Sequence, residues 1–416
     1  MLSLFLLFFS KTAVYAKSIV NDPVKNEKGI YVLNSEKTDI SLNTQNIYNE
    51  TSDNGSFRFF IPTEFMSGAG AAGFTDAENN NDTLLMFTGD FMCLRGQQYS
   101  AEIKGGYNFS PSFAFVEPLF KSADFVCGNL ETLISKSNPL TKNQNTVNGQ
   151  PQCNGPEAYL SALKKAGVDA VVTANNHCCD WGKSGINETK QMLEKHKIPN
   201  VGTNSEGENN RYIIINVKGI NIAVLSYSHI INQRGKMSAY DLETMVNCYD
   251  IVQVNKDIHD AKENGADFVA VYCHWGTENT EELNWFQKND SKDIANAGAD
   301  IIIGSHPHCL QRCEYIQTDD NRQVMCMYSM GNFVSSMARE INNDTIILCV
   351  KINKNPYNKR VLIKDISYIP CFVTSYNGKN NVIIPDLPEY NGNITNSTLT
   401  ASLKRISRIF SNINYY

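Results

Sequence analysis

A series of short apolar runs, each stopping at a small polar cluster, constrains this chain more than any other feature. Leu84–Phe87 gives way to Thr88, Gly89 and Asp90, and Asp124–Cys127 to Gly128, Asn129 and, just beyond, Glu131. Ala170–Thr173 leads to Asn175, Asn176, His177 and Asp180, and Phe268–Cys273 to His274, Trp275, Gly276 and Glu278. Asp300–Ile303 ends at Gly304, Ser305, His306, Pro307 and His308, and Gln323–Tyr328 at Ser329, Met330, Gly331, Asn332 and Phe333. Runs of this length, rich in β-branched residues and bounded by turn formers, read as strands.

Helical patterns lie between them. Pro156–Ala166 places Tyr159, Leu160, Leu163 and Ala166 at helical spacing, with Pro156 near the start and Gly167 at the end. Further helices are expected over Gly185–His196, Met245–Asn264 and Asp290–Ala297, and a short one around Phe115–Ser122. Arg211–Val217 and Ile220–Tyr227, separated by Lys218 and Gly219, read as an antiparallel hairpin. The alternation predicts a layered α/β domain with mixed sheets. In such folds the carboxyl ends of strands line the ligand crevice, so clusters that share this position can converge.

The chemistry of those clusters points to metal. Seven histidines occur in 416 residues, and His306 and His308 are paired at the end of one strand pattern. Asp90, Glu131, Asn176, His274, His306 and His308 together offer two carboxylates, a carboxamide and three imidazoles. This donor set suits zinc, manganese or iron. It exceeds what one tetrahedral ion needs and fits two ions, the arrangement that activates water at a phosphoryl centre. Each residue alone has an ordinary reading as a turn former, helix cap or hydrogen-bonded strand-end group. His177 beside Asp180 reads as a proton donor held by a carboxylate, or as a local hydrogen bond.

Other features exclude or locate. The net charge of -6 and the lack of a basic stripe argue against a nucleic-acid partner. The twelve cysteines include no CxxC pair, which argues against a zinc knuckle or iron–sulfur site; most are expected to be small buried hydrophobes. Residues 1–16 combine an apolar stretch with the small-residue end Val14–Ala16, the pattern of an export signal or membrane anchor, although a positive n-region is missing. An extracytoplasmic protein, secreted or anchored at the cell surface, is expected. Residues 17–82 read as a polar lead-in, 83–372 as the folded domain, and 373–416 as a polar tail.

The ordered motifs Thr88-Gly89-Asp90-Phe91-Met92, Gly128-Asn129-Leu130-Glu131, Ala174-Asn175-Asn176-His177, Val201-Gly202-Thr203-Asn204, His274-Trp275-Gly276, Gly304-Ser305-His306-Pro307-His308 and Tyr328-Ser329-Met330-Gly331-Asn332-Phe333 resemble the bacterial capsule-synthesis CapA family, linked to poly-gamma-glutamate capsule. That family is similar in turn to the calcineurin-like metallophosphoesterases. The resemblance implies a sandwich of two mixed β-sheets flanked by helices, with one or two divalent ions. It makes Asp90 a first-metal aspartate, Glu131 the bridging carboxylate and Asn176 the asparagine ligand. His274 and His306 would serve the second ion and His308 the first, while His177, oriented by Asp180, protonates the leaving group. Met92 departs from the phosphoesterase pattern, because those proteins usually have a histidine two residues after the first aspartate. A thioether is a poor ligand for these ions. Two functions stay open: a metal-dependent hydrolase acting on a phosphoester or on an amide of an anionic polymer, and a non-catalytic part of a membrane capsule-assembly or export complex.

Overall fold

The computed structural model describes residues 22–26, 29–33, 82–144, 146–147, 149–386 and 396–410. Two large sheets carry the fold. Across the first, the strands run Lys379–Pro385, Val361–Tyr376, Asp344–Lys354, Thr83–Phe91, Phe125–Leu130, Ala170–Val172 and Asn200–Val201, and Asn332–Val334 also pairs with Thr83–Phe91. Across the second they run Val24–Lys25, Tyr31–Val32, Tyr212–Val217, Ile220–Ser228, Phe268–His274, Ile301–Ser305, Gln323–Met327 and Cys313–Gln317. In the first, the parallel strands run from Thr83–Phe91 to the edge strand Asn200–Val201, with the antiparallel strands on the other side; in the second, a parallel centre is flanked by antiparallel strands.

The parallel strands are buried throughout, as in Phe268–His274 and Ile301–Ser305. Strands covered on both faces need apolar residues at every position rather than at alternate ones. Between the sheets pack Leu85, Phe87, Val172, Ile222, Val224, Tyr272, Ile303 and Leu348. Outside the first sheet, Tyr159, Leu160 and Leu163 of helix Ala158–Ala166 and Leu193 of Gly182–Lys195 cover Met86, Val126 and Val171. Outside the second, Val254 and Ile258 of helix Ile251–Glu263 and Ile294 of Trp285–Ala297 cover Val269, Val271 and Ile302. The result is a helix–sheet–sheet–helix sandwich, the architecture expected. Truncating one of these core side chains to alanine costs about 2–5 kcal/mol, which fixes the strand ends relative to one another.

Several segments differ from the sequence reading. Met245–Asn264 is not one helix: Ala239–Met245 ends, the chain extends, and Asp250 caps Ile251–Glu263 by accepting from Gln253 N at 2.9 Å. Bridges from Val246 to Thr203 and from Cys248 to Ser228 take the intervening backbone into sheet-like pairing. The segment read as a polar tail holds the end of Val361–Tyr376, the strand Lys379–Pro385 and the helix Asn396–Phe410. Ile406 and Phe410 of that helix are buried in the inter-sheet core, and Arg405 pairs with Asp344. From the lead-in, Val24–Lys25 and Tyr31–Val32 extend the second sheet. The apolar stretch at 1–16 lies outside the described residues; among those described, no helix is long and apolar enough to cross a membrane. All twelve cysteines are unpaired, and all but Cys248 are buried.

Candidate metal centre

The two sheets present their parallel strand ends to each other, and the polar clusters meet there. On the first sheet, Asp90 stands in register with Asn129 on one side and Asn332 on the other. The strand does not stop at Thr88, as its pattern suggested, but runs through Phe91 with a register shift between Phe87 and Asp90. Gly89 makes this possible: a Cβ there would lie 2.0 Å from the Gly331 carbonyl oxygen. On the second sheet, Ser228, His274 and Ser305 are in register, and Ser305 leads directly into His306. Gly304 allows the close approach, since a Cβ would lie 1.9 Å from the Tyr328 carbonyl oxygen. His306 and His308 have φ of 96° and 57°, a region that non-glycine residues seldom occupy. Strain of this kind clusters where geometry matters for a site.

All of the expected residues converge. Asp90, Glu131, Asn176, His177, Asp180, His274, His306 and His308 are buried, none more than 4% exposed. Glu131 lies at the middle, with its Oε1 3.8 Å from His274 Nε2 and 3.8 Å from His308 Nε2. His308 Nδ1 is 3.8 Å from Asp90 Oδ2, and His274 Nε2 is 3.1 Å from Asn176 Oδ1. The His274 and His306 rings are 4.8 Å apart by centroid. Ligands about 2.0–2.2 Å from one ion lie roughly 3–4 Å from each other, so these spacings accommodate an ion. Asp90, Glu131 and His274 form one such group and Glu278, His306 and His308 another, the ligand atoms in each within 4.8 Å of one another.

Neighbours hold these side chains in place. Asn129 Nδ2 donates to Asp90 Oδ1 at 2.8 Å, and Asn175 Nδ2 donates to Asn129 Oδ1 at 3.1 Å. Ser305 Oγ sits 2.8 Å from His274 Nδ1, and Asn332 Oδ1 2.8 Å from His308 Nδ1. Such partners leave the other ring nitrogen facing the cluster and set the tautomer a ligand needs. His177 Nδ1 is 2.7 Å from Asp180 Oδ2, which also accepts from the Cys153 backbone N at 2.6 Å. The Cys153 thiol joins His177 and Asp180 in a third close group. Nothing near Cys153 in the sequence signalled this, because it follows no apolar run.

The electrostatics are those of a cluster arranged for a cation. Burial pushes the Asp90 carboxyl up, against His308 and Asn129, and pushes Glu131 well up, aided by Asp90 beside it. Burial pushes the imidazoles the other way: His274 well down, His306 to about 3, and His308 down despite Asp90. His177 differs. Burial lowers it, but Cys153 and Asp180 outweigh burial and its net shift is well up. Both Glu131 oxygens, His306 Nδ1 and Asn176 Nδ2 are buried without a hydrogen-bond partner. Buried polar atoms are rarely left so, and divalent cations among these groups would satisfy the oxygens and the ring nitrogen. The residues fit one or two such ions.

An α/β sandwich with a buried carboxylate–imidazole cluster at its strand ends defines the class of protein. The model of the bacterial capsule synthesis protein PGA_cap family matches residues 84–337, and the chain belongs to that family. It is 28% identical over 281 residues to capsule biosynthesis protein CapA of Bacillus anthracis, covering 67% of this chain and 66% of that protein. It is also 28% identical over 278 residues to PGA biosynthesis protein CapA of Bacillus subtilis (strain 168), covering 65% and 67%. The match thus spans about two thirds of the length of these relatives. Among solved structures, the calcineurin-like phosphoesterase YfkN from Bacillus subtilis is 15% identical, with 79% of this chain and 97% of that chain covered and a TM-score of 0.44. Haemophilus influenzae NAD nucleotidase is 14% identical, with coverage of 80% and 63% and a TM-score of 0.46.

Proposed function

We propose that this chain is a metal-dependent hydrolase acting in the synthesis or export of capsule or poly-gamma-glutamate at the cell surface. Its bond of attack is a phosphoester, or an amide of an anionic polymer. The observation that carries the metal reading is Glu131: a buried carboxylate with both oxygens unpartnered, between two imidazoles at 3.8 Å. Asp90, Glu131, Asn176, His274, His306 and His308 would hold one or two ions of manganese, zinc or iron. When bound, such ions supply Lewis acidity and lower the pKa of water. His177, with Nδ1 held by Asp180, keeps Nε2 for delivering a proton to the leaving atom.

The family's link to capsule supports the cellular setting, as do the names of the two Bacillus relatives. At a net charge of -6, contact with a polyanion would rely on the ions or on a local basic patch. Met92 favours a second reading, a non-catalytic member of a membrane capsule-assembly complex, because it offers no imidazole beside Asp90. Metal analysis of the purified chain, then assays on phosphoesters and on gamma-glutamyl polymer with and without the metal, separates the two. Metal-dependent turnover of either substrate class supports the hydrolase. Stoichiometric metal with no turnover of either favours the assembly role, and no bound divalent ion overturns the metal reading.

A further inference from the structure

Met92 stands where calcineurin-like phosphoesterases usually carry a histidine, and its thioether is a poor ligand for these ions. The residue is 2% exposed, and its carbonyl accepts from Gln97 Nε2 at 2.6 Å and from the Tyr159 hydroxyl at 2.8 Å. Its backbone is thereby tied into the first sheet's helical side.

A different side chain comes to the cluster from the opposite sheet. Glu278 lies in the loop after Phe268–His274, and one of its carboxylate oxygens is within 4.8 Å of ring nitrogens of both His306 and His308. Its loop is fastened to the histidine loop: Trp275 N donates to Ser305 O at 3.1 Å, and Asn279 N to Pro307 O at 2.8 Å. Asn342 Nδ2 ties the same two loops together, donating to Asn279 Oδ1 at 3.0 Å and to the His308 carbonyl at 2.9 Å. Gly276, at φ +98°, brings the loops this close, since a Cβ there would meet Pro307 Cγ at 3.0 Å. His306 Nδ1 is buried with no hydrogen-bond partner. Glu278 itself is half-buried, so its carboxylate keeps partial access to water at the mouth of the cluster.

We infer that Glu278 is a metal ligand for the ion that His308 holds, on the side of the centre where His306 also turns toward that ion rather than serving the second ion alone, and that it supplies a donor in place of the imidazole absent at Met92. The inference rests on the metal reading proposed above. Added to the carboxylates of Asp90 and Glu131, each 3.8 Å from His308, Glu278 gives the ion at His308 an oxygen-rich donor set. A carboxylate is also harder than the imidazole it would replace, which shifts preference toward manganese.

The full-length protein, stripped with chelator and titrated with Mn2+ by calorimetry, tests this, with low-temperature electron paramagnetic resonance to detect coupled manganese pairs. Circular dichroism would first establish that each variant is folded. Glu278→Gln should weaken one equivalent at least about tenfold, the lower end of what perturbing a ligand environment does, and abolish the coupled-pair signal. Adding Met92→His to Glu278→Gln should recover that equivalent, because the imidazole returns two residues after Asp90. Unchanged affinity and stoichiometry in folded Glu278→Gln overturns the inference while leaving the metal centre intact. Wild-type protein that binds no Mn2+ or Zn2+ overturns the underlying metal reading instead.

Discussion

The two sheets contribute unlike halves to the centre. The first brings carboxylates and carboxamides, placed on or just beyond strand ends and linked before any ion arrives: Asn175 to Asn129 and Asn129 to Asp90. The second brings imidazoles, and two of the three sit in a loop with positive φ at His306 and His308. In the first half burial raises carboxyl pKa values, and in the second it lowers those of the imidazoles. Each half resists becoming charged, and a cation relieves the carboxylates while using the imidazoles in their neutral form. In the first half the ligand and its neighbours are linked side chain to side chain, whereas in the second the loops are fastened mainly through backbone and His306 Nδ1 is left without a partner, open to what it binds.

The strongest way to break the comparison is at the residue between the halves. Glu131→Gln removes the charge that faces both His274 and His308. Metal content, measured by plasma emission after desalting, should fall by more than half, and metal-dependent turnover should fall with it. Undiminished metal would show that the imidazole half suffices by itself.

His177→Asn separates proton delivery from metal binding. His177 is held by Asp180, its Nδ1 2.7 Å from Asp180 Oδ2. Metal content should stay constant while turnover drops roughly 10²–10⁴-fold, most on substrates with poor leaving groups. Full activity on a poor leaving group would remove His177 from the role.

Chelation sharpens the contrast directly. An ion present at about 100 times its Kd stabilises the fold by about 2.7 kcal/mol, and removing it forfeits that amount. The loss should be uneven. Hydrogen exchange should rise more across 304–310 and 274–279 than across 86–92, where the Asn129–Asp90 bond persists without the ion. Greater deprotection of 86–92 would reverse the assignment of which half needs the metal.

How far the sequence revealed this depends on the distance between cause and effect. Asp90, Glu131, His177 and His306 were legible because each lies at or just beyond the end of a buried parallel strand, and the ends of such strands meet in a crevice. The two-sheet core was legible from apolar runs such as Ile301–Ile303. The break after Met245 was not, because helical spacing continues across it while the bridges to Thr203 and Ser228 come from distant strands. Helix Asn396–Phe410 was hidden too: its buried face rests on a few residues, including Ile406 and Phe410, within a polar segment. Partners that orient the imidazoles, Ser305 for His274 and Asn332 for His308, carry no local signal of that role, since strand pairing alone brings them there.

The smallest expected effect lies behind the imidazole half. His229 N donates to the His274 carbonyl at 3.0 Å, and the His229 ring stacks on Tyr249 with centroids 4.0 Å apart. His229 Nε2 is 3.2 Å from Asp290 Oδ2, yet neither atom has a hydrogen-bond partner. Burial lowers His229 to about 4, while burial and then Asp293 raise Asp290 to about 6. The geometry and both shifts favour a neutral pair over an ion pair. The histidine's depressed pKa gives stability that is complete above about 6.5 and is lost as pH falls through 4. The aspartate's raised pKa gives stability that is complete below 3.8 and is lost as pH rises through 6. Asp290→Asn removes the second dependence. Its Tm should exceed that of the wild type at pH 8, and the difference should shrink as pH falls through 6 and vanish only below about 3.8. Partial solvent access limits the gain to about 1 kcal/mol or less, a shift of about 1–3 °C for a domain of this size. A lower Tm for Asp290→Asn at pH 8 would mean that the two groups are charged and paired, and that the support behind His274 is ionic.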